Sequence, residues 1–137
     1  ESILIQDIER VLSQVGRLKA AGITLAIDDF GTGYSSLSYL KRLNVDRLKI
    51  DRSFIRDIST DPDDAAIVRA ITQMARSLRL KILAEGTETT EQTRFLLAEG
   101  CDEVQGFLYS RPLTADSFAR LYRQGSGFII DLNRTAK

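Results

Sequence analysis

The strongest constraint on this chain is an alternation: segments with apolar residues every three or four positions are repeatedly followed by short apolar runs of strand length. Ile5, Ile8, Val11, Leu12, Val15 and Leu18 share one face of a helix that Ala20-Ala21-Gly22 stops. A strand is expected over 23–28. Ser35 or Ser36 then caps a short helix carrying Leu37, Leu40 and Leu43, and a second strand covers 47–50. The polar cluster 59–64 opens another helix, with Pro62 tolerated in its first turn and Asp63 and Asp64 favoured at its positive end. Its apolar face is Ile67, Val68, Ile71, Met74, Ala75 and Leu78. A third strand, 81–85, precedes a helix capped by Thr89 or Thr90 that carries Phe95, Leu96 and Leu97. A fourth, 103–106, leads past Pro112 to a last helix around Phe118, Leu121 and Tyr122.

One helix followed by four strand-helix units implies an α/β fold with a parallel sheet and right-handed crossovers. The polar residues decide between an open sheet and a barrel. Asp28 and Asp29, Lys49 and Asp51, Glu85 and Gln105 fall at or just past strand carboxyl ends, where TIM barrels assemble active sites from several strands. Four units are half of eight. The expected architecture is therefore half of a TIM-like barrel, with two free sheet edges and apolar layers that self-association would cover.

Adjacent carboxylates at 28 and 29 end an apolar segment, and a turn containing Gly31 and Gly33 follows. Side chains alternate along a strand, so both carboxylates reach one site only if the strand ends between them and the glycines turn the chain. Hard oxygen ligands of this kind suit Mg²⁺ or Mn²⁺. Taken singly, the pair also fits a solvated turn, Lys49 an exposed charge, Glu85 a polar strand terminus and Gln105 a satisfied amide. Their joint placement at successive strand ends favours a site.

Composition removes other chemistries. The chain has no histidine, so the usual general base, zinc ligand and nucleophile-histidine pairs are absent, and catalysis falls to carboxylates, lysine and metal. The single Cys101 reads as a small buried side chain. Nineteen basic and nineteen acidic residues cancel, which gives no electrostatic case for long nucleic acid or an anionic membrane. No apolar run reaches the roughly 18 residues of a transmembrane helix. Glu1, Asp7 and Glu9 argue against a signal peptide, so a location inside a cell, or on the cytoplasmic side of something larger, is expected. Tyr34, Phe54, Phe107 and Tyr109 read first as packing aromatics, with stacking on a flat ligand the alternative. Asp29-Phe30-Gly31 also matches the kinase magnesium motif, but the accompanying phosphate and catalytic loops are missing.

Four words stand in register across the four strands: Asp28-Asp29-Phe30-Gly31-Thr32-Gly33-Tyr34-Ser35-Ser36-Leu37; Leu48-Lys49-Ile50-Asp51 with Ser53-Phe54; Ala84-Glu85-Gly86 with Glu88-Thr89; and Gln105-Gly106 with Ser110-Arg111-Pro112. In these words the chain resembles the carboxyl-terminal half of an EAL domain, the bacterial phosphodiesterase family that hydrolyses cyclic di-GMP. The resemblance covers about 1–122 and leaves 123–137 as a tail. It implies a two-metal Mg²⁺ or Mn²⁺ site in which Asp28 bridges the ions, Asp29 binds the second, and Glu85 binds that ion or activates water. Lys49 would stand beside the attacking water, Gln105 would hold water or ligand, and Glu88 and Glu1 would support the site.

The resemblance further implies that the Glu-Ala-Leu segment and the remaining metal and substrate ligands belong to an amino-terminal half. This chain alone is expected to be inactive, to bind metal weakly and to form homo-oligomers, through helices after the first two strands. Thr87 stands where the family more often has valine. The expected function is metal-dependent hydrolysis of cyclic di-GMP to a linear dinucleotide by the parent domain, the alternative being a non-catalytic cyclic di-GMP receptor or scaffold.

Overall fold

The computed structural model describes residues 2–32 and 37–123. Helix α1 (Ser2–Ala20) leads into strands β1 (Ala26–Phe30), β2 (Arg47–Ile50), β3 (Lys81–Glu85) and β4 (Glu103–Gln105), which form one parallel sheet in chain order. Helix α2 (Leu37–Arg42) joins β1 to β2, α3 (Arg52–Arg56) and α4 (Pro62–Ser77) join β2 to β3, α5 (Thr90–Glu99) joins β3 to β4, and α6 (Ala115–Arg123) follows. The expected α/β succession of parallel strand-helix units is thus present, with β1 and β4 as the sheet edges. Among the described residues no helix is long and apolar enough to cross a membrane.

Alternation along the strands sorts the sheet into two unlike faces. Leu48, Ile50, Ile82 and Ala84 are fully buried in a core with Ile55, Val68, Ala75 and Leu96 from the covering helices. Each buried Leu, Ile or Val side chain contributes roughly 1.5–3 kcal/mol by leaving water, the alanines less. The opposite face carries Arg47 and Lys49, Lys81 and Glu85, Glu103 and Gln105, with Leu83 the apolar exception in β3. The expected apolar layer on this face is therefore mostly absent. Its side chains pair with one another instead: the Arg47 guanidinium meets Glu103 at 2.8 Å across the intervening strand.

Helix starts follow side-chain capping. Asp61 accepts from the Asp63 N–H at 2.8 Å ahead of Pro62, and Thr89 and Gln92 form a reciprocal capping box at the start of α5. Gly100 closes α5 at φ +81°, where a side chain would strike the Arg76 guanidinium. Cys101 is buried as expected, and burial pushes its thiol up to about 11.

Three boundaries differ from the sequence reading. β1 runs from Ala26 to Phe30 rather than over 23–28: the Ile23 N–H donates back to the Leu18 carbonyl at the end of α1, and Leu25 bonds Asp46 and Arg47 just ahead of the ladder. β4 stops at Gln105, since Gly106 packs against the Thr87 backbone. The short α3 was not anticipated; Asp51 caps it directly at the end of β2. Ser35 and Ser36, the expected caps of α2, lie outside the described residues, as do Tyr34, Glu1 and the tail from 124 onward.

Candidate metal centre

The acidic pair is brought together by a bulge, not by the end of a strand. Ile27 pairs with Leu48 and Phe30 with Ile50, so three steps along β1 oppose two along β2. The extra residue is absorbed at Asp29, whose φ of +49° lies in the left-handed region that Asp tolerates better than most side chains. This break in alternation lets Asp28 and Asp29 join Glu85, at the end of β3, in one cluster. An oxygen from each of the three carboxylates lies within 4.8 Å of the others. The Asp29 carbonyl is turned back on the loop, where the Thr32 hydroxyl donates to it at 2.9 Å.

Lys49 reaches this cluster from β2. Its Nζ lies 2.7 Å from Asp28 Oδ1 and 2.6 Å from Glu85 Oε1. The lysine and Glu85 are about one-fifth exposed (21% and 20%), whereas Asp28 is 63% exposed, so the Lys49–Glu85 contact is the less screened. The hydrogen bond from Lys49 holds the Asp28 carboxyl below its ordinary range, opposed by desolvation. Hydrogen bonds to Asp28 and then Glu85 raise the lysine above its own. Three carboxylates thus face one ammonium, and their oxygens are of the type and spacing that hard divalent cations take.

A cleft of about 820 Å³ opens over the cluster. Asp29, Glu85, Glu88 and Gln105 line it, so four of the expected site residues share one space. Glu88 does not join the carboxylate cluster; its backbone N–H donates to Gln92 Oε1 at 2.7 Å, which fixes it at the mouth of α5. Arg52, Ser53 and Arg56 of α3 form a wall that the sequence reading missed. Their signal was the spacing of Asp51 and Ser53, since Asp51 accepts from the Ser53 N–H at 2.9 Å as a helix cap does. Hydrogen bonds from Ser53 also hold the Asp51 carboxyl low. Gly86 lets this wall approach, because a β-carbon there would lie 2.4 Å from Arg52 Cβ.

The aromatics divide between packing and exposure. Phe54 is half-buried against the core and touches the space beside Gly31, where a β-carbon would lie 2.5 Å from its ring. Tyr109 is tied to Thr93 by a 3.1 Å hydroxyl contact. Phe107 remains 52% exposed on the cleft wall, with the Arg111 guanidinium 4.6 Å from its ring centroid.

Comparison with known proteins places this geometry. Residues 1–112 match the EAL domain family. The chain is 49% identical over 126 residues to the cyclic di-GMP phosphodiesterase NbdA of Pseudomonas aeruginosa, covering 90% of this chain and 16% of NbdA. It is 53% identical over 116 residues to the bifunctional diguanylate cyclase/cyclic di-GMP phosphodiesterase MucR of the same organism, covering 85% and 17%. The chain thus spans less than a fifth of either relative. Among solved structures, it superposes on the EAL domain of Mycobacterium smegmatis DcpA with a TM-score of 0.83 at 46% identity, covering 91% of this chain and 56% of that one. The PaMucR phosphodiesterase in complex with c-di-GMP gives 0.78 at 53% identity, covering 82% and 45%. The manganese/cyclic di-GMP complex of Klebsiella pneumoniae BlrP1 gives 0.67 at 42% identity, covering 73% and 26%.

Proposed function

The chain belongs to the EAL domain family, and from that premise we propose that the domain carrying it hydrolyses cyclic di-GMP to a linear dinucleotide with the help of divalent metal. The observation that carries this reading is the convergence of Asp28, Asp29 and Glu85 on one point, with Lys49 between two of them. We assign the EAL segment to about 1–122 and read 123–137 as a tail. Among the described residues β1 and β4 are the sheet edges, which favours contacts with further chain or with a second copy.

Asp28, Asp29 and Glu85 would hold the metal, Mg²⁺ or Mn²⁺, which when bound lowers the pKa of water and neutralises charge on a phosphodiester. Lys49 holds Asp28 and Glu85 in position and presents positive charge beside the phosphoryl oxygens, whose charge grows as the water oxygen attacks phosphorus. A water oxygen–phosphorus bond forms and one phosphorus–ribose oxygen bond breaks. The Glu85 carboxylate accepts the proton given up by the water, and the released ribose oxygen takes a proton from solvent, leaving a phosphate monoester and a hydroxyl. Gln105 orients water or the dinucleotide in the cleft, and Glu88 supports its mouth; the supporting role of Glu1 rests on the family resemblance alone, since that residue lies outside the described ones.

The test is product formation by chromatography with Mg²⁺ or Mn²⁺, on this chain and on a complete domain carrying it. The complete domain should yield the linear dinucleotide and the 137-residue chain none. Asp28→Asn in the complete domain should abolish turnover with circular dichroism unchanged. Retained activity in that variant contradicts the metal-holding role, and tight cyclic di-GMP binding by wild type without turnover makes the domain a receptor.

A further inference from the structure

One buried amide ties two parts of the cleft wall together. Gln92, in the first turn of α5, is 5% exposed and does not line the cleft itself. Its Oε1 accepts the Glu88 N–H at 2.7 Å and the Thr89 N–H at 2.9 Å, which fixes the turn between β3 and α5. Its Nε2 donates at 3.0 Å to the carbonyl of Arg56, 36 positions earlier and the last residue of α3. A capping box accounts for the first arm, and a glutamate would serve it as well. It does not account for the second, for which an ionised glutamate has no hydrogen to give. The closing carbonyls of a helix have no donor within it, so this one is met from outside. With five residues α3 is little more than one turn, too short to hold its own position. It is set by Asp51 at its start, by the buried Ile55 on its core side and by Gln92 at its end. Its Arg52, Ser53 and Arg56 line the cleft together with Glu85 and Glu88.

We propose that Gln92 is a positioning residue, a strut that sets the α3 wall against the turn carrying Glu88 and so fixes the cleft that a cyclic dinucleotide must fit. This rests on the reading of the chain as part of a cyclic di-GMP hydrolase. The strut does not bear on the carboxylate cluster. Asp28, Asp29 and Glu85 are held by the bulge in β1, by the ladder between β2 and β3 and by Lys49, none of which involves Gln92. Loss of the second arm therefore frees α3 relative to residue 88 and leaves the metal-holding oxygens where they are. A ligand large enough to reach from the carboxylates to both parts of the wall feels that change. A small phosphodiester that occupies only the carboxylate cluster does not. Gln92 thus acts on how the substrate is held, through the wall it positions, and not on the reacting atoms.

The experiment compares wild type with Gln92→Glu and Gln92→Met in a complete domain carrying this chain, with Mn²⁺ and two substrates, cyclic di-GMP and bis(p-nitrophenyl) phosphate. Glutamate keeps the oxygen that accepts from residues 88 and 89, and so keeps the capping box, but meets the Arg56 carbonyl with an oxygen in place of an N–H. Gln92→Glu should raise KM for cyclic di-GMP about 3- to 10-fold, the worth of one hydrogen bond, and leave kcat near wild type. Its kcat/KM for the small diester and its melting temperature should stay close to those of wild type. Gln92→Met loses both arms, so it should raise KM for cyclic di-GMP at least as far and also lower the melting temperature. If Gln92→Glu loses activity on both substrates in parallel, Gln92 serves the metal centre or the fold at large, and the strut is overturned. An unchanged KM for cyclic di-GMP in Gln92→Glu overturns it too. The hydrolase reading survives either result. A wild type that turns over no cyclic di-GMP overturns that reading, and this one with it.

Discussion

At the amino-terminal ends of the strands every carboxylate has its own cation, whereas at the carboxyl-terminal ends three carboxylates share one. Asp46, just before β2, bonds the Lys19 ammonium through one oxygen and takes the Leu25 N–H at 2.8 Å through the other. Asp102, just before β4, repeats the device: Lys81 Nζ lies 2.7 Å from one oxygen, and the Ile82 N–H donates at 2.9 Å to the other. Arg47 and Glu103 complete the balanced end. At the other end Lys49 pairs with Asp28 and Glu85, and Asp29 joins their cluster with no salt-bridge partner among the described residues. Matched charge tied to backbone amides locks strand starts to one another. Unmatched charge on an exposed bulge does nothing for the fold, and such clusters are where proteins keep groups that act on ligands.

The sharpest way to break this contrast is to neutralise one member at each end. Glu85→Gln removes charge from the overfull cluster, so turnover in the complete domain should fall about 10²- to 10⁴-fold. Its melting temperature should hold or rise. Kinetics and thermal melts on the same samples decide it, and a large drop in melting temperature would mean that the cluster is structural.

Asp102→Ala should do the reverse. It strands the N–H of Ile82, a residue with no exposed surface, and leaving such a donor unpaired costs about 1–3 kcal/mol. Denaturant unfolding measures the loss, and KM and kcat should remain near wild type. Asp102→Asn keeps an oxygen acceptor and should recover most of the stability.

Asp46 sharpens the contrast through pH. The hydrogen bond from Lys19, then that from the Leu25 N–H, holds its carboxyl below the ordinary 3.8. A depressed native pKa gives stability that is fully present above 3.8 and is lost as the pH falls through the lower native value. Melts of wild type and Asp46→Asn should therefore differ at pH 6 and converge toward pH 2. A gap that persists at pH 2 would mean that the contact acts by packing and not by charge.

What could be read from the sequence follows from how local each signal is. Helix periodicity and the caps at Asp61 and Thr89 depend on residues a few positions apart, and these elements formed where expected. The candidate ligands were legible because strand ends are marked by adjacent glycines at 31, 86 and 106. The bulge was not legible, because the register of β1 is set by β2, some twenty residues away. Asp46 and Asp102 drew no notice for the same reason: their partners Leu25 and Ile82 are 21 and 20 positions distant. Phe107 looked like packing because composition cannot tell that the backbone at 87 and 106 holds its ring in the open.

Thr87 tests whether unmet polarity is confined to the site. It lies two residues beyond Glu85 with no exposed surface, and its hydroxyl has no partner among the described residues. Its backbone, by contrast, is fully used in clamping β4. Valine has the same shape without the hydroxyl, so Thr87→Val should leave the clamp intact and raise stability by about 1 kcal/mol, the release of an unsatisfied buried group. Urea unfolding of the two proteins measures it. A gain would confine useful polarity to the exposed carboxylates and mark the buried hydroxyl as a defect beneath them. A loss of similar size would mean that the hydroxyl is hydrogen-bonded in solution, and the boundary between the balanced and unbalanced ends would then run through residue 87 rather than above it.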